Sequence, residues 1–181
     1  MREEIYALVQ NIKPLDQQEQ DDIDFASKWI KSGAELFRTQ SPATPPVHLV
    51  SYFVVIDDAA EKVLLVDHIK AQLWLPSGGH VDPNEHPKQA AAREAMEELF
   101  IEADFIQDNP VLMNVAVTQN TNTPHTDVSF WYAIKADSTQ NLKYDEREFN
   151  GIKWFPIDNI PTQRIGSDIG RFIEKYKSLK A

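Results

Sequence analysis

Gly78-Gly79-His80-Val81-Asp82-Pro83-Asn84-Glu85-His86-Pro87-Lys88-Gln89-Ala90-Ala91-Ala92-Arg93-Glu94-Ala95-Met96-Glu97-Glu98-Leu99 is the stretch on which the reading of this chain turns. Pro87 suits the first position of a helix, where its missing N–H costs nothing, and His86 or Glu85 falls at or just before the cap. The spacing predicts a helix over Pro87 to Leu99. With successive side chains about 100° apart, Glu94, Glu97 and Glu98 share one face, while Ala92, Ala95, Met96 and Leu99 form the side that buries against a sheet. The expectation is an amphipathic helix whose acidic face points outward.

An ordinary solvated helix sets Glu against Lys four residues on, which this one does not do. Glu94 and Glu98 are like charges at that spacing, and Glu97 and Glu98 are adjacent. Arg93 can reach Glu97, Glu94 and, ahead of the helix, Glu85, but one guanidinium does not neutralise four carboxylates. A hard divalent cation held by oxygen ligands does. Upstream, Pro76-Ser77-Gly78-Gly79 reads as a loop after a strand, in which two glycines let the backbone come close to a metal or a phosphate. Taken alone, a Gly-Gly pair signals no more than a tight turn.

Working outward, Val47 to Ile56 and Val63 to Val66 are rich in β-branched residues on either side of the turn Asp57-Asp58-Ala59-Ala60, and read as a hairpin. Further strands are predicted at Leu73 to Leu75, Val111 to Val117, Val128 to Ile134 and Ile152 to Phe155, with a last helix from about Ser167 to Leu179. Before them, Ile5, Leu8, Val9 and Ile12 fall at helical spacing up to Pro14, and a second apolar stripe runs from about Asp21 to Arg38. The turn-rich Ser41-Pro42-Ala43-Thr44-Pro45-Pro46 then marks a boundary. The division expected is a helical extension over 1–44, packed on the core or on a second subunit, and a main domain over 45–181. The class is α/β or α+β, with a mixed sheet flanked by helices.

Composition narrows the chemistry. The 181 residues carry 18 Lys+Arg against 28 Asp+Glu, a net charge of −10, which disfavours a nucleic-acid polymer as partner but suits a small phosphorylated ligand with divalent cations between the two. No cysteine is present, so disulfides, thiolate metal sites and a cysteine nucleophile are excluded. The N-terminus lacks the pattern of a signal peptide and no apolar run is long enough to span a bilayer, so no membrane association and a cytoplasmic location are expected.

Gly79, five residues, Glu85, seven residues, Arg93-Glu94, Glu97-Glu98 and Ile101 together resemble the signature box of the Nudix hydrolase family, with Phe100 in place of the box's last glycine and Ala95 at an aliphatic position. That glycine ends the helix in a left-handed conformation, so altered geometry is expected there with metal binding retained. The resemblance implies an α/β/α sandwich around a mixed sheet. It also implies Mg²⁺ or Mn²⁺ held by Glu94, Glu97 and Glu98 with the backbone carbonyl of Gly78, and oriented by Arg93 and Glu85. Gly78, Gly79 and Glu85 are assigned to substrate binding, and Glu94, Glu97, Glu98 and Arg93 to catalysis. The base is a box glutamate or an acidic residue on a later loop, with Glu148 preferred and Glu146 next, although Asp145-Glu146-Arg147-Glu148 also reads as a charged surface turn.

The implied reaction is hydrolysis of a phosphoanhydride in a small nucleoside-diphosphate compound, a nucleoside triphosphate (including an oxidised one) first. ADP-ribose, dinucleoside polyphosphates, non-nucleotide diphosphates and a noncatalytic nucleotide-binding module are the alternatives. A homodimer is left open. His80 is expected to touch phosphate or stay structural, His125-Thr126-Asp127 to be a strand entry, and Trp74, Trp131 and Trp154 to be core residues before base-stacking ones.

Overall fold

Val47–Asp57, predicted from its β-branched run, is the trunk of the sheet in the computed structural model, which describes residues 1–41, 43–118, 124–160, 164, 166 and 168–180. In chain order the elements are α1 (Arg2–Gln10), α2 (Gln17–Lys31), β1 (Val47–Asp57), β2 (Lys62–His68), β3 (Leu73–Leu75), β4 (Ser77–His80), α3 (Pro87–Leu99), β5 (Leu112–Thr118), β6 (His125–Lys135), β7 (Phe149–Pro156) and α4 (Ile169–Ser178). The strands form one seven-stranded sheet with β3-β2-β1-β6-β5 as its path. β1 runs parallel to β6, pairing Val47 with Thr126 through Ile56 with Lys135, and every other pairing is antiparallel. The sheet is mixed, as expected.

On its other edge β1 is shared: Val50 to Phe53 pair with β4, and Val55 to Asp57 pair with β2. This corrects the reading of Pro76-Ser77-Gly78-Gly79 as a loop, since Ser77–His80 is a strand. Glycine is a poor strand former, which hid it, but here the missing side chain is what lets the strand dock. A Cβ on Gly78 (φ +154°) would lie 2.3 Å from the Ser51 carbonyl oxygen and 2.7 Å from Tyr52 Cα.

Alternation along β1 sends successive residues to opposite faces. Leu49, Phe53 and Val55 join Ile5, Val9, Ile23 and Ile30 of the first two helices and Ala91, Ala95 and Leu99 of α3. Val54 and Ile56 join Ile169, Phe172 and Tyr176 of α4 on the other side. The result is an α/β/α sandwich, with three helices on one face and α4 on the other.

Residues 1–31 contribute apolar side chains to the same core as the sheet. The buried Glu19 fastens them: its carboxylate accepts from Leu15 N at 2.7 Å, from Met113 N on β5 at 3.0 Å and from Lys175 Nζ on α4 at 2.5 Å. Helix α2 starts earlier than the apolar stripe predicts, because Asp16 caps it by accepting from Glu19 N at 2.8 Å. It also ends earlier. Gly33 takes φ +80° just past Lys31, so Ala34 and Phe37 lie outside the helix. Pro42 of the expected boundary and Ser167, the expected start of the last helix, lie outside the described residues; α4 begins at Ile169. Among the described residues no helix is long and apolar enough to cross a membrane.

Candidate functional site

Helix α3 is started firmly and aimed along β4. Pro87 occupies its first turn, His86 Nδ1 accepts from Lys88 N at 3.1 Å, and Gln89 Oε1 accepts from His86 N at 3.1 Å, a reciprocal cap built on histidine. Ser51 Oγ of β1 donates to the Pro87 carbonyl at 2.7 Å, and Ala90, Ala91, Ala95 and Leu99 bury against the sheet. Small alanines bring the helix close to β4.

Arg93 is the hub. Its Nε and Nη2 reach the two oxygens of Glu85 at 3.0 Å each, its Nη1 reaches Glu94 at 2.7 Å, and its Nη2 also donates to the His80 carbonyl at 3.0 Å. The bidentate pair fixes the guanidinium plane. Glu85 is fixed in turn, since it also accepts from Asp82 N at 3.0 Å and its own carboxyl is pulled below the usual range by Arg93 and the Asp82 amide despite partial burial.

The three helix glutamates differ in surroundings, which corrects the uniformly outward acidic face. Glu97 alone is open to solvent, at 59% exposure, with Arg93 Nη1 at 3.5 Å. Glu94 lies over Gly79, where a Cβ would come within 2.2 Å of Glu94 Oε1. Its carboxyl is raised above the usual value by burial, against the pull of Arg93. Glu98 is buried, accepts from Ser77 Oγ and from the Gly78 amide, and is pushed up to about 8, chiefly by burial and then by the charges of Glu94 and Glu148. Helical periodicity found the shared face but could not show that β4 lies against it.

Glu148 is drawn into this group through the backbone. Asp145 N donates to the Glu98 carbonyl at 2.8 Å, Glu148 N donates to Asp145 O at 3.1 Å, and Ile69 N donates to Glu148 O at 2.9 Å. The turn before β7 is thereby stitched to the end of α3, and the charge of Glu148 acts on both Glu94 and Glu98. Glu146 is exposed on the same turn, beside the ion pair of Arg147 with Asp145.

The helix end is not deflected as expected. Phe100 takes the left-handed conformation itself (φ +54°, ψ +33°) while 56% exposed, so the chain path a glycine favours is kept at the cost of backbone strain. Glu94, Glu97 and Glu98 on one helix face, with the charge of Glu148 acting on two of them, offer carboxylate oxygens, the ligand type that a hard divalent cation takes.

Trp131 is buried, donating from Nε1 to Asn114 Oδ1 at 2.7 Å, and Trp74 packs against Phe155, consistent with core roles. His125, Thr126 and Asp127 open β6. Sequence reasoning missed that His125 and Asp127 meet His48 and His80, because the meeting depends on strand register. An open depression of about 1430 Å³ at the ends of β1 and β6, lined by Asp57, Phe100, Lys135 and Thr139 among others, includes none of the candidate residues.

Comparison with known proteins agrees with the fold. The profile of the NUDIX domain matches residues 47–176. A protein of Bacillus subtilis (strain 168) named "Putative 8-oxo-dGTP diphosphatase" is 41% identical over 109 residues, covering 60% of this chain and 67% of that protein. Among solved structures, the MutT NUDIX hydrolase of Burkholderia pseudomallei superposes with a TM-score of 0.56 at 22% identity, covering 71% of this chain and 97% of that one. The E. coli dihydroneopterin triphosphate pyrophosphohydrolase gives a TM-score of 0.58 at 18% identity, covering 82% of this chain and all (100%) of that one. These last two are likenesses of fold.

Proposed function

Since this chain belongs to the Nudix family and is a hydrolase of phosphoanhydrides, we propose that its substrate is a purine nucleoside triphosphate with an oxidised base, cut to the monophosphate and diphosphate. The observation that supports the site assignment is that Glu94 and Glu98 lie against β4, Glu94 paired with Arg93, with the charge of Glu148 acting on both. The substrate rests on the 41% identity over 109 residues with the Bacillus subtilis protein.

Glu94, Glu97 and Glu98, with the Gly78 carbonyl, would hold Mg²⁺ or Mn²⁺. When bound, such an ion supplies charge neutralisation on the phosphate oxygens and lowers the cost of deprotonating water. The protein does the rest. Arg93, held by Glu85 and the His80 carbonyl, pairs with the Glu94 carboxylate, and Gly79 leaves the room in which that carboxylate sits. Glu148 takes the proton of the attacking water, its position set by the backbone bonds through Asp145 to Glu98. The P–O–P bridge breaks as water adds to phosphorus, and the diphosphate carries away the bridging oxygen.

The test is the rate of substrate loss and nucleotide product formation, resolved chromatographically, for a panel of 8-oxo-dGTP, dGTP, ADP-ribose and dinucleoside polyphosphates with Mg²⁺, with diphosphate release measured for the triphosphates. The oxidised triphosphate should have the highest kcat/KM, and faster turnover of ADP-ribose or a dinucleoside polyphosphate would replace it. Glu97→Gln and Glu98→Gln should each lower kcat by about 10²-fold or more, the equivalent of about 3 kcal/mol. Both should fold normally, because Glu97 is exposed and Glu98 is a buried carboxyl that an amide replaces without charge. Unchanged turnover in both variants removes the carboxylate assignment.

A further inference from the structure

On the sheet face opposite α3, four side chains from three strands converge. β1 contributes His48, β4 contributes His80, and β6 contributes His125 and Asp127. Register brings them there: His48 is paired with Asp127 across the parallel ladder, Val50 with His80 across the antiparallel one, and alternation puts all four side chains on one face. One ligand atom from each lies within 4.8 Å of the other three. His48 Nε2 is 3.3 Å and His125 Nε2 is 3.5 Å from Asp127 Oδ1. At metal–ligand bonds of about 2.0–2.1 Å the edge of a coordination tetrahedron is about 3.3–3.4 Å, so two edges are nearly in place.

The hydrogen bonds at His48 sharpen the case. Its Nδ1 lies 2.8 Å from the Pro45 carbonyl, an acceptor, so Nδ1 donates there and Nε2 is the nitrogen left to face Asp127 and act as a ligand. His48 is fully buried, and both its Nε2 and Asp127 Oδ1 have no hydrogen-bond partner among the described residues. Two buried acceptors facing each other are costly unless a cation lies between them. The arrangement around them is also that of a ligand set: Pro45 O orients His48, and Thr118 Oγ1 donates to the second oxygen of Asp127 at 3.2 Å.

We propose that His48, His80, His125 and Asp127 form a four-ligand transition-metal site, filled by Zn²⁺, that ties the starts of β1 and β6 to the end of β4. Three imidazoles and one carboxylate suit a borderline cation with a tetrahedral preference and are a poor match to Mg²⁺, so this site and the carboxylate set on the other face take different metals. Four protein ligands close the coordination sphere, and the role is structural.

The experiment is calorimetric titration of the chelator-treated full-length protein with Zn²⁺ in saturating Mg²⁺, paired with visible absorption of the Co²⁺-loaded protein. The expected result is one Zn²⁺ per chain with submicromolar affinity, a tetrahedral Co²⁺ spectrum and a melting temperature raised by Zn²⁺. The Glu97→Gln, Glu98→Gln double variant should keep all three. His125→Ala with Asp127→Asn should weaken binding by at least about 100-fold and abolish the spectrum, and the milder Thr118→Val should weaken it by about 10-fold should the double variant not fold. Absence of Zn²⁺ binding in Mg²⁺, an octahedral Co²⁺ spectrum, or binding that survives in His125→Ala, Asp127→Asn overturns the site.

Discussion

Adjacent glycines in β4 make opposite predictions, because the atoms that a methyl group would strike differ in kind. At Gly79 the obstacle is the Glu94 carboxylate, the free end of a side chain, which can swing away. Gly79→Ala should therefore melt close to the parent, within about 1 kcal/mol, while losing most activity. At Gly78 the obstacles are the Ser51 carbonyl and Tyr52 Cα, backbone that cannot yield without parting β4 from β1. Gly78→Ala should lower stability by about 3 kcal/mol or more, read as a shifted thermal midpoint. Equal effects on melting would show that Glu94 is held as rigidly as backbone. Asp22 offers a separate handle. Burial raises its carboxyl to about 6, against an amide hydrogen bond from Val115. Its unfolded counterpart ionises near 3.8, so between about pH 4 and 6 the unfolded chain releases the proton first and stability falls as pH rises, levelling off above 6. Asp22→Asn should raise the melting temperature at pH 7, by roughly 1–2 kcal/mol of stability, and should make no difference at pH 3.5. A gain at both pH values would mean the carboxylate charge is not its source.

Helix α3 shows what periodicity can and cannot give. Its ends, the burial of Ala95 and Leu99 and the shared face of Glu94, Glu97 and Glu98 were legible, because each depends on residues close in sequence; Met96, expected on the buried side, is 48% exposed and Ala92 half-buried, since the stripe that meets the sheet runs through Ala90 and Ala91 instead. That Glu98 faces Ser77 and Glu94 faces Gly79 was not legible, since a wheel has no knowledge of what lies opposite it. The same holds for β4, whose glycines read as a turn until the partner strand is known. Phe100 is the element's weak joint. A left-handed residue with a Cβ costs about 1 kcal/mol, and this one buries little in return. Phe100→Gly should raise the thermal midpoint by the equivalent of about 0.5–1 kcal/mol; a lower midpoint would show that the ring's contacts with the surrounding surface outweigh the strain.

Across the whole molecule, residues 1–31 complete the core against the sheet, and the chemistry of their attachment is unusual. Glu19 and Lys175, 156 positions apart, meet where β5 ends the sheet. Removing one partner of such a buried pair strands the other, so Glu19→Ala should cost about 3–5 kcal/mol and Glu19→Ala with Lys175→Met appreciably less. Additive losses in calorimetry would show that the two charges act independently. No local pattern announced this pair, as Glu19 sits among exposed polar residues in sequence. The four-residue strand β4 carries a further consequence. Gly79 opens toward one layer of the sandwich and His80, its neighbour, toward the other. Sliding this ribbon by a single step would thrust an imidazole among the glutamates and leave a gap among the histidines. Lengthening or shortening of the chain here is therefore tolerable only in pairs of residues, a parity rule that binds the two faces to each other's history.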